Sequence, residues 1–79
     1  MNIKPNTYYK MHYKYGYNII YNDDGIWIYD IATKRKDKPL VKYDRKFWWG
    51  RTKEFIAHIR KHNIKVEEIT TEDLFLELL

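Results

Sequence analysis

The spacing of apolar and aromatic residues changes once along the chain, and this change constrains the fold more than any other feature. In the first half these residues recur at alternate positions, most clearly in residues 7–15. A period of two is typical of a β-strand with one buried face. From residue 52 the apolar residues recur every three or four positions, as in an amphipathic helix. The sequence therefore predicts an α+β fold in which strands precede helices.

Turn-forming residues divide the first half into strands. Gly16 allows a first turn, Asn-Asp-Asp-Gly at 22–25 is a strong hairpin signal, and Pro39 ends a polar loop. The predicted strands cover residues 7–15, 17–21, 26–33 and 40–44. The third is apolar on both faces, which predicts an interior position. We expect an antiparallel meander of three to four strands followed by two short helices, in a single small α+β domain spanning residues 1–79.

Two helices are predicted in the second half. Residues 51–62 place apolar side chains on one face of a helical wheel, and Asn63 is a suitable stop. The sequence Thr-Thr-Glu-Asp at 70–73 supplies an N-cap hydroxyl and two acids, which predicts a helix at 72–79. Residues 64–69 alternate only weakly, so an edge strand and a simple connection both stay open.

The chain is short and contains no cysteine. A domain of 79 residues buries only about 60% of the surface that its unfolded chain exposes. Without disulfides or a thiolate zinc site, stability must come from packing eight tyrosines, three tryptophans and three phenylalanines, or from oligomerisation. The lack of cysteine, of a signal peptide and of an apolar run of about 20 residues predicts a cytoplasmic protein that does not enter a membrane.

The composition argues against catalysis. The chain lacks serine, cysteine and glutamine, which excludes the common nucleophile systems. Asp30 with Asp44 and Lys46 matches a pattern that holds Mg²⁺ beside a phosphate, but three residues at flexible spacing match often by chance. His58 and His62 have the spacing of a shared metal site, without a thiol or an intervening glutamate. We therefore expect a protein that is not an enzyme and that binds neither cofactor nor metal.

A basic and aromatic segment spans residues 34–53. It holds nine lysines and arginines against two aspartates, whereas residues 65–79 hold one lysine against five acids. Cations that displace counterions from phosphates, interleaved with rings that stack on bases, are typical of a nucleic-acid contact surface. The predicted nucleic-acid or partner-binding residues are Lys34, Arg35, Lys36, Lys38, Lys42, Arg45, Lys46, Trp48, Trp49, Arg51 and Lys53.

Each part of this surface also has a structural interpretation. In an extended chain Trp48 and Trp49 point in opposite directions, which predicts one buried and one exposed indole at the junction of sheet and helix. Residues 34–38 could be only a solvated hairpin tip. On the first strand, Tyr9, Met11, Tyr13 and Tyr15 are predicted to face the core. As an alternative, the opposite face extends a basic-aromatic platform through Tyr8, Lys10, His12 and Lys14.

Three functions stay open. The first is a small nucleic-acid-binding protein that grips the backbone and stacks on bases. The second is an inhibitor from a phage or other mobile element, anti-CRISPR-like or otherwise counter-defensive, that blocks a nucleic-acid-handling enzyme or nucleoprotein complex; the codon-biased, low-GC composition favours it. The third is a homodimeric structural or adaptor protein. Its predicted dimer or partner surface is the leucine-rich terminal helix, through Leu74, Leu76 and Leu78.

Overall fold

The computed structural model describes residues 3–23, 27–47 and 52–79, with the backbone alone at residues 27 and 44–47. These residues form β1 (Thr7–Tyr13), β2 (Gly16–Asp23), β3 (Trp27–Arg35), β4 (Val41–Phe47), α1 (Thr52–Lys61), β5 (Lys65–Ile69) and α2 (Thr71–Leu78). The predicted α+β class, with an antiparallel sheet and two helices, is confirmed. The predicted strand number is wrong, because the sheet has five strands and the fifth lies between the helices.

The sheet has the strand order β4-β3-β2-β1-β5, and every pairing is antiparallel. The first four strands form the predicted meander, and β3 has the predicted interior position. β5 pairs with β1 at the edge of the sheet, with Ile69 opposite Tyr8 and Lys65 opposite His12. Its weak alternation follows from this position, because edge strands commonly carry charged residues that discourage further pairing.

The two helices cover opposite faces of the sheet. On one face Phe55 and Ile59 of α1 pack in a cluster with Ile3, Tyr9, Met11, Ile20 and Ile28. On the other face Leu74 of α2 packs in a cluster with Ile19, Ala32 and Ile69. The neighbouring residues Ile19 and Ile20 are both fully buried because they point to opposite faces. Interior strands of this sheet carry apolar residues on both faces because a helix covers each face.

Local hydrogen bonds define the helix ends where the sequence predicts them. α1 ends in a Schellman motif, in which Asn63 has φ 50° and the Ile64 amide donates to the Ile59 carbonyl at 3.0 Å. α2 begins with a capping box between Thr70 and Asp73. Both predicted helices are confirmed with boundaries within one residue. Among the described helices, none combines the length and apolar character that crossing a bilayer requires.

Candidate nucleic-acid interface

Two turns from different hairpins lie side by side at one end of the sheet. The β1–β2 turn contains Lys14 and Tyr15, and the β3–β4 loop follows Arg35. The backbone amide of Lys36 donates a 2.9 Å hydrogen bond to the carbonyl oxygen of Tyr15. We call this region the basic end; its charged residues are Lys14, Lys34, Arg35, Lys36 and Lys38, with Asp37 as the acid.

The side chain of Lys34, near the end of β3, closes the β3–β4 loop. The ammonium group of Lys34 donates to the backbone carbonyls of Arg35, at 2.8 Å, and of Lys38. The Lys38 amide donates to the Arg35 carbonyl at 3.1 Å, and Asp37 adopts a left-handed conformation with φ 65°. Lys34 therefore shapes the loop, while Arg35, Lys36 and Lys38 are exposed and can contact phosphates.

A groove lined by tyrosines lies beside this loop. Tyr13, Tyr15, Tyr17 and Tyr43 line it together with Lys34 and Arg35, and its volume is about 420 Å³. Tyr13 is 45% exposed and Tyr15 is 65% exposed. The basic end thus presents aromatic surface within reach of a cationic loop.

The floor of the groove is polar and carries a carboxylate. Asp30, which is only 3% exposed, accepts a 2.7 Å hydrogen bond from the side-chain amide of Asn18. The same amide donates to Thr33 Oγ1 at 3.0 Å. Burial, and then the negative charge of Asp30, raise the pKa of the Tyr13 hydroxyl.

The structure separates the sequence-predicted binding residues. Lys34 and Arg35 end β3 and Lys36 and Lys38 lie in the loop that follows, whereas Lys42 is exposed on β4 and Lys53 is exposed in α1. The loop precedes Val41, and Phe47 lies at the opposite end of β4, about 20 Å away at the usual rise per residue. Residues 34–47 therefore do not form one compact patch, because β4 extends between the two ends of the segment.

The rest of the predicted basic-aromatic segment is not described at side-chain level. Arg45 and Lys46 lie on β4, where the backbone alone is described, with Arg45 opposite Asp30 in the register. Trp48, Trp49 and Arg51 lie outside the described residues. Their binding roles, and the prediction of one buried and one exposed indole, stay predictions.

The predicted faces of the first strand need correction. Tyr9 and Met11 are buried, at 4% and 1% exposure, but Tyr13 and Tyr15 lie in the groove at the basic end. The core cluster that α1 covers includes Tyr9 and Met11 but neither Tyr13 nor Tyr15. In the sequence, this site is indicated by the two tyrosines on either side of Gly16, which follow Lys14.

The alternative platform on the opposite face of β1 is wrong, because acidic residues of α2 and β5 occupy it. Lys10 pairs with Glu77, which also accepts a 2.7 Å hydrogen bond from the Tyr17 hydroxyl. His12 lies 3.1 Å from Glu67. The ammonium group of Lys10 also lies 4.0 Å from the centre of the Tyr17 ring. The contacts of Lys10 and Tyr17 with Glu77 link α2 to the sheet, and the contact of His12 with Glu67 links β1 to β5.

Two further predictions concern the helices. His58 and His62 have ring centres 4.6 Å apart, and the pKa of His58 is lowered by burial, by His62 and by Lys61. Within the described residues no three potential ligands converge on a metal position. Of the predicted dimer or partner surface, Leu74 is buried and Leu78 is half-buried on the sheet, whereas Leu76 is 67% exposed.

Comparisons with known proteins do not assign the chain to a family. No family model, no curated protein and no solved structure matches it. Function is therefore inferred from the chemistry of the described surfaces, of which the basic end combines the most features that suit one class of ligand.

Proposed function

We propose that the protein is a non-catalytic nucleic-acid-binding protein that holds a single-stranded segment at the basic end. The hydrogen bond between Lys36 and Tyr15 carries this proposal, because it places the cationic loop beside the tyrosine-lined groove. Arg35, Lys36 and Lys38 contact successive phosphates, and an unpaired base stacks on Tyr15 or Tyr13.

The expected binding is weakly selective for sequence and prefers unpaired bases. Stacking needs an exposed base face, which a duplex does not offer. Every base has a face that can stack on a tyrosine ring, so the groove accepts several bases. Three exposed cations predict a salt dependence in which the affinity for a single strand falls about twentyfold between about 50 and 200 mM salt.

Fluorescence anisotropy of labelled oligonucleotides tests the proposal. Single-stranded DNA and RNA of about 12 nucleotides and the matching duplexes are titrated at both salt concentrations. We expect the single strands to bind more tightly than the duplexes. The double variant Arg35→Glu/Lys36→Glu should lower single-strand affinity at least about tenfold and flatten the salt dependence, because two of the phosphate contacts become repulsive.

The matched control is Arg60→Glu/Lys61→Glu, which reverses the same two residue types at exposed positions of α1. Both double variants change the net charge equally, so a general charge effect lowers both affinities alike. We expect the control to change affinity by less than about threefold, since these side chains belong to α1 and not to the two turns that form the basic end. Equal losses in the two variants, or no binding at low salt, would reject the proposal. The inhibitor of a nucleic-acid-handling enzyme would then become the leading hypothesis.

A further inference from the structure

Three tyrosines form a row across β1, β2 and β3 at the end of the sheet that lies away from the basic end. Tyr8 pairs with Tyr21, and Tyr21 pairs with Tyr29, in the registers of adjacent strands. The ring centres of Tyr8 and Tyr21 lie 4.6 Å apart, and those of Tyr21 and Tyr29 lie 6.4 Å apart. All three residues are half-buried, so part of each side chain stays accessible. We call these residues the tyrosine row.

The tyrosine row borders an open depression that also contains a carboxylate. Asp23 lines the same depression and is half-buried. Within the part of the chain that the structure describes, no side chain forms a hydrogen bond or an ion pair with the Asp23 carboxylate. Of the described residues that line the depression, none is a lysine or an arginine. The depression therefore combines aromatic surface with a negative charge.

The sequence around the tyrosine row is acidic, although the whole protein has a net charge of +4. Residues 15–33 contain three aspartates and no lysine, arginine or histidine. One of these aspartates is Asp23, whose carboxylate attracts a cation that enters the depression. The charge of this region therefore suits a cationic ligand, in contrast to the cationic loop at the basic end.

We propose that the depression binds an organic cation of the methylated ammonium type. The faces of aromatic rings attract cations, and several rings around a quaternary ammonium group are the usual arrangement for its recognition. The tyrosine row supplies the rings, and Asp23 supplies the opposite charge. Methyl groups suit half-buried rings because they need no hydrogen-bond partner, whereas an unmodified ammonium group would lose bonds to water.

This site goes beyond the proposed nucleic-acid binding and does not depend on it. Asp23 is the last residue of β2, whereas Gly16 at the basic end is the first, so the two lie about 20 Å apart. Two residues that line the groove also line this depression, but the tyrosine row and Asp23 line only the depression. The two sites can therefore be tested with separate variants.

Choline and its neutral isostere test the proposal. In the isostere a tert-butyl group replaces the trimethylammonium group, so the two molecules have nearly the same shape and differ in charge. Both are titrated into isotope-labelled, nuclease-treated protein, and the backbone amide signals are followed by NMR. We expect choline to bind with a dissociation constant on the order of 1 mM and to shift the signals of the tyrosine row and Asp23. The isostere should bind at least about fivefold more weakly.

Two variants remove the two parts of the site separately. Tyr29→Leu removes a ring and keeps an apolar side chain, whereas Asp23→Asn removes the charge and nearly keeps the shape. Each should raise the dissociation constant for choline at least about threefold. Asp37→Asn is the matched control, because it makes the same chemical change at an exposed position of the β3–β4 loop, and it should leave the constant unchanged. Circular dichroism establishes that the variants are folded, and Asp23→Asn tests the site even if Tyr29→Leu is not.

Lys46 is a basic residue whose backbone lies opposite Tyr29 in the pairing of β3 with β4. Lys46→Gln should bind choline at least as tightly as the wild type, because a like charge beside the tyrosine row is removed. Weaker binding by this variant would contradict the proposal. Equal binding of choline and its isostere, choline shifts confined to the basic end, or wild-type affinity in Asp23→Asn would also overturn it.

Two peptides distinguish the sources of the cation. They have the same sequence, with trimethyllysine in one and unmodified lysine in the other. Tighter binding of the trimethyllysine peptide than of choline would assign the site to a protein partner that carries methylated lysine. Tighter binding of choline would assign it to a free quaternary ammonium compound. If the unmodified peptide binds as tightly as the methylated one, the preference for methyl groups is overturned.

Discussion

Lys36 donates its backbone amide to the carbonyl oxygen of Tyr15, and this 2.9 Å hydrogen bond joins the turns of two separate hairpins. The bond uses main-chain groups only, so side-chain substitutions at either residue leave it available. It holds the exposed Tyr15 ring beside the cations that follow Arg35. Stacking and phosphate contact can therefore be tested separately at adjacent positions.

Tyr15→Ala tests stacking at the basic end. If a base stacks on this ring, removing it should weaken single-strand binding by about 1–3 kcal/mol and leave the salt dependence nearly unchanged, because no cation is lost. Tyr15→Phe is the matched control and should bind almost as tightly as the wild type, since it keeps the ring. Anisotropy titrations measure both. Wild-type affinity in Tyr15→Ala, or equal losses in the two variants, would show that the ring is not a stacking surface.

Gly16→Ala tests the backbone that positions the two turns. Gly16 has φ 150°, and a Cβ at this position would lie 2.0 Å from the carbonyl oxygen of Lys34. The strand pairing at Arg35 must therefore open or shift. We expect the free energy of unfolding to fall by at least about 2 kcal/mol, measured by urea denaturation. Tyr15→Ala, at the exposed neighbouring position, should cost much less, and unchanged stability of Gly16→Ala would contradict this geometry.

The pH dependence of stability tests the network that holds α2 on the sheet. Hydrogen bonds from Lys10 and Tyr17 lower the pKa of Glu77 below its ordinary value of 4.5. A lowered folded-state pKa stabilises the protein above the unfolded-state pKa, and this stabilisation is lost as the pH falls through the folded-state value. Glu77→Gln should therefore be less stable than the wild type at neutral pH. The difference should shrink in acid below pH 4.5, as measured by urea denaturation.

The titration of the Tyr17 hydroxyl at high pH tests the same network. Burial, and then the hydrogen bond and charge of Glu77, raise the pKa of Tyr17 to about 12. Its contribution to stability is present below the ordinary value of 10.0 and is lost as the pH rises through the folded-state value. Ultraviolet titration should find a lower pKa for this tyrosine in Glu77→Gln, because the charge of Glu77 is removed although the burial remains. The same titration curve in wild type and variant would show that the contact is absent in solution.

Local signals predicted the elements whose hydrogen bonds are local. Asn63 ends α1 in a left-handed conformation, and the capping box of Thr70 and Asp73 begins α2. The meander was equally predictable, because turn residues separate strands that pair with their neighbours in sequence. By contrast, β5 pairs with β1, and no local pattern reports a contact between residues so far apart.

Only part of the candidate site could be predicted from the sequence, again because local patterns do not report contacts between distant residues. The cationic loop is one continuous segment, so its charge is visible in the sequence. The tyrosines of the groove come from β1, β2 and β4 and from the first turn, and only strand pairing brings them together. The prediction of one binding surface over residues 34–53 assumed that neighbours in sequence are neighbours in space. In the structure, β4 separates the β3–β4 loop from Phe47.

The sequence by itself determined the fold class, the four-stranded meander, the ends of both helices and the charge of the β3–β4 loop. Each of these depends on residues close together in the chain, through side-chain period, backbone conformation or capping. Only the tertiary structure decided which face of the sheet each helix covers. This determines which charged and aromatic side chains are buried and which are exposed. Lys10 lies against Glu77, Tyr15 stays exposed, and the leucines of α2 divide between core and surface. Burial depends on what packs against a residue, and that partner is often distant in sequence.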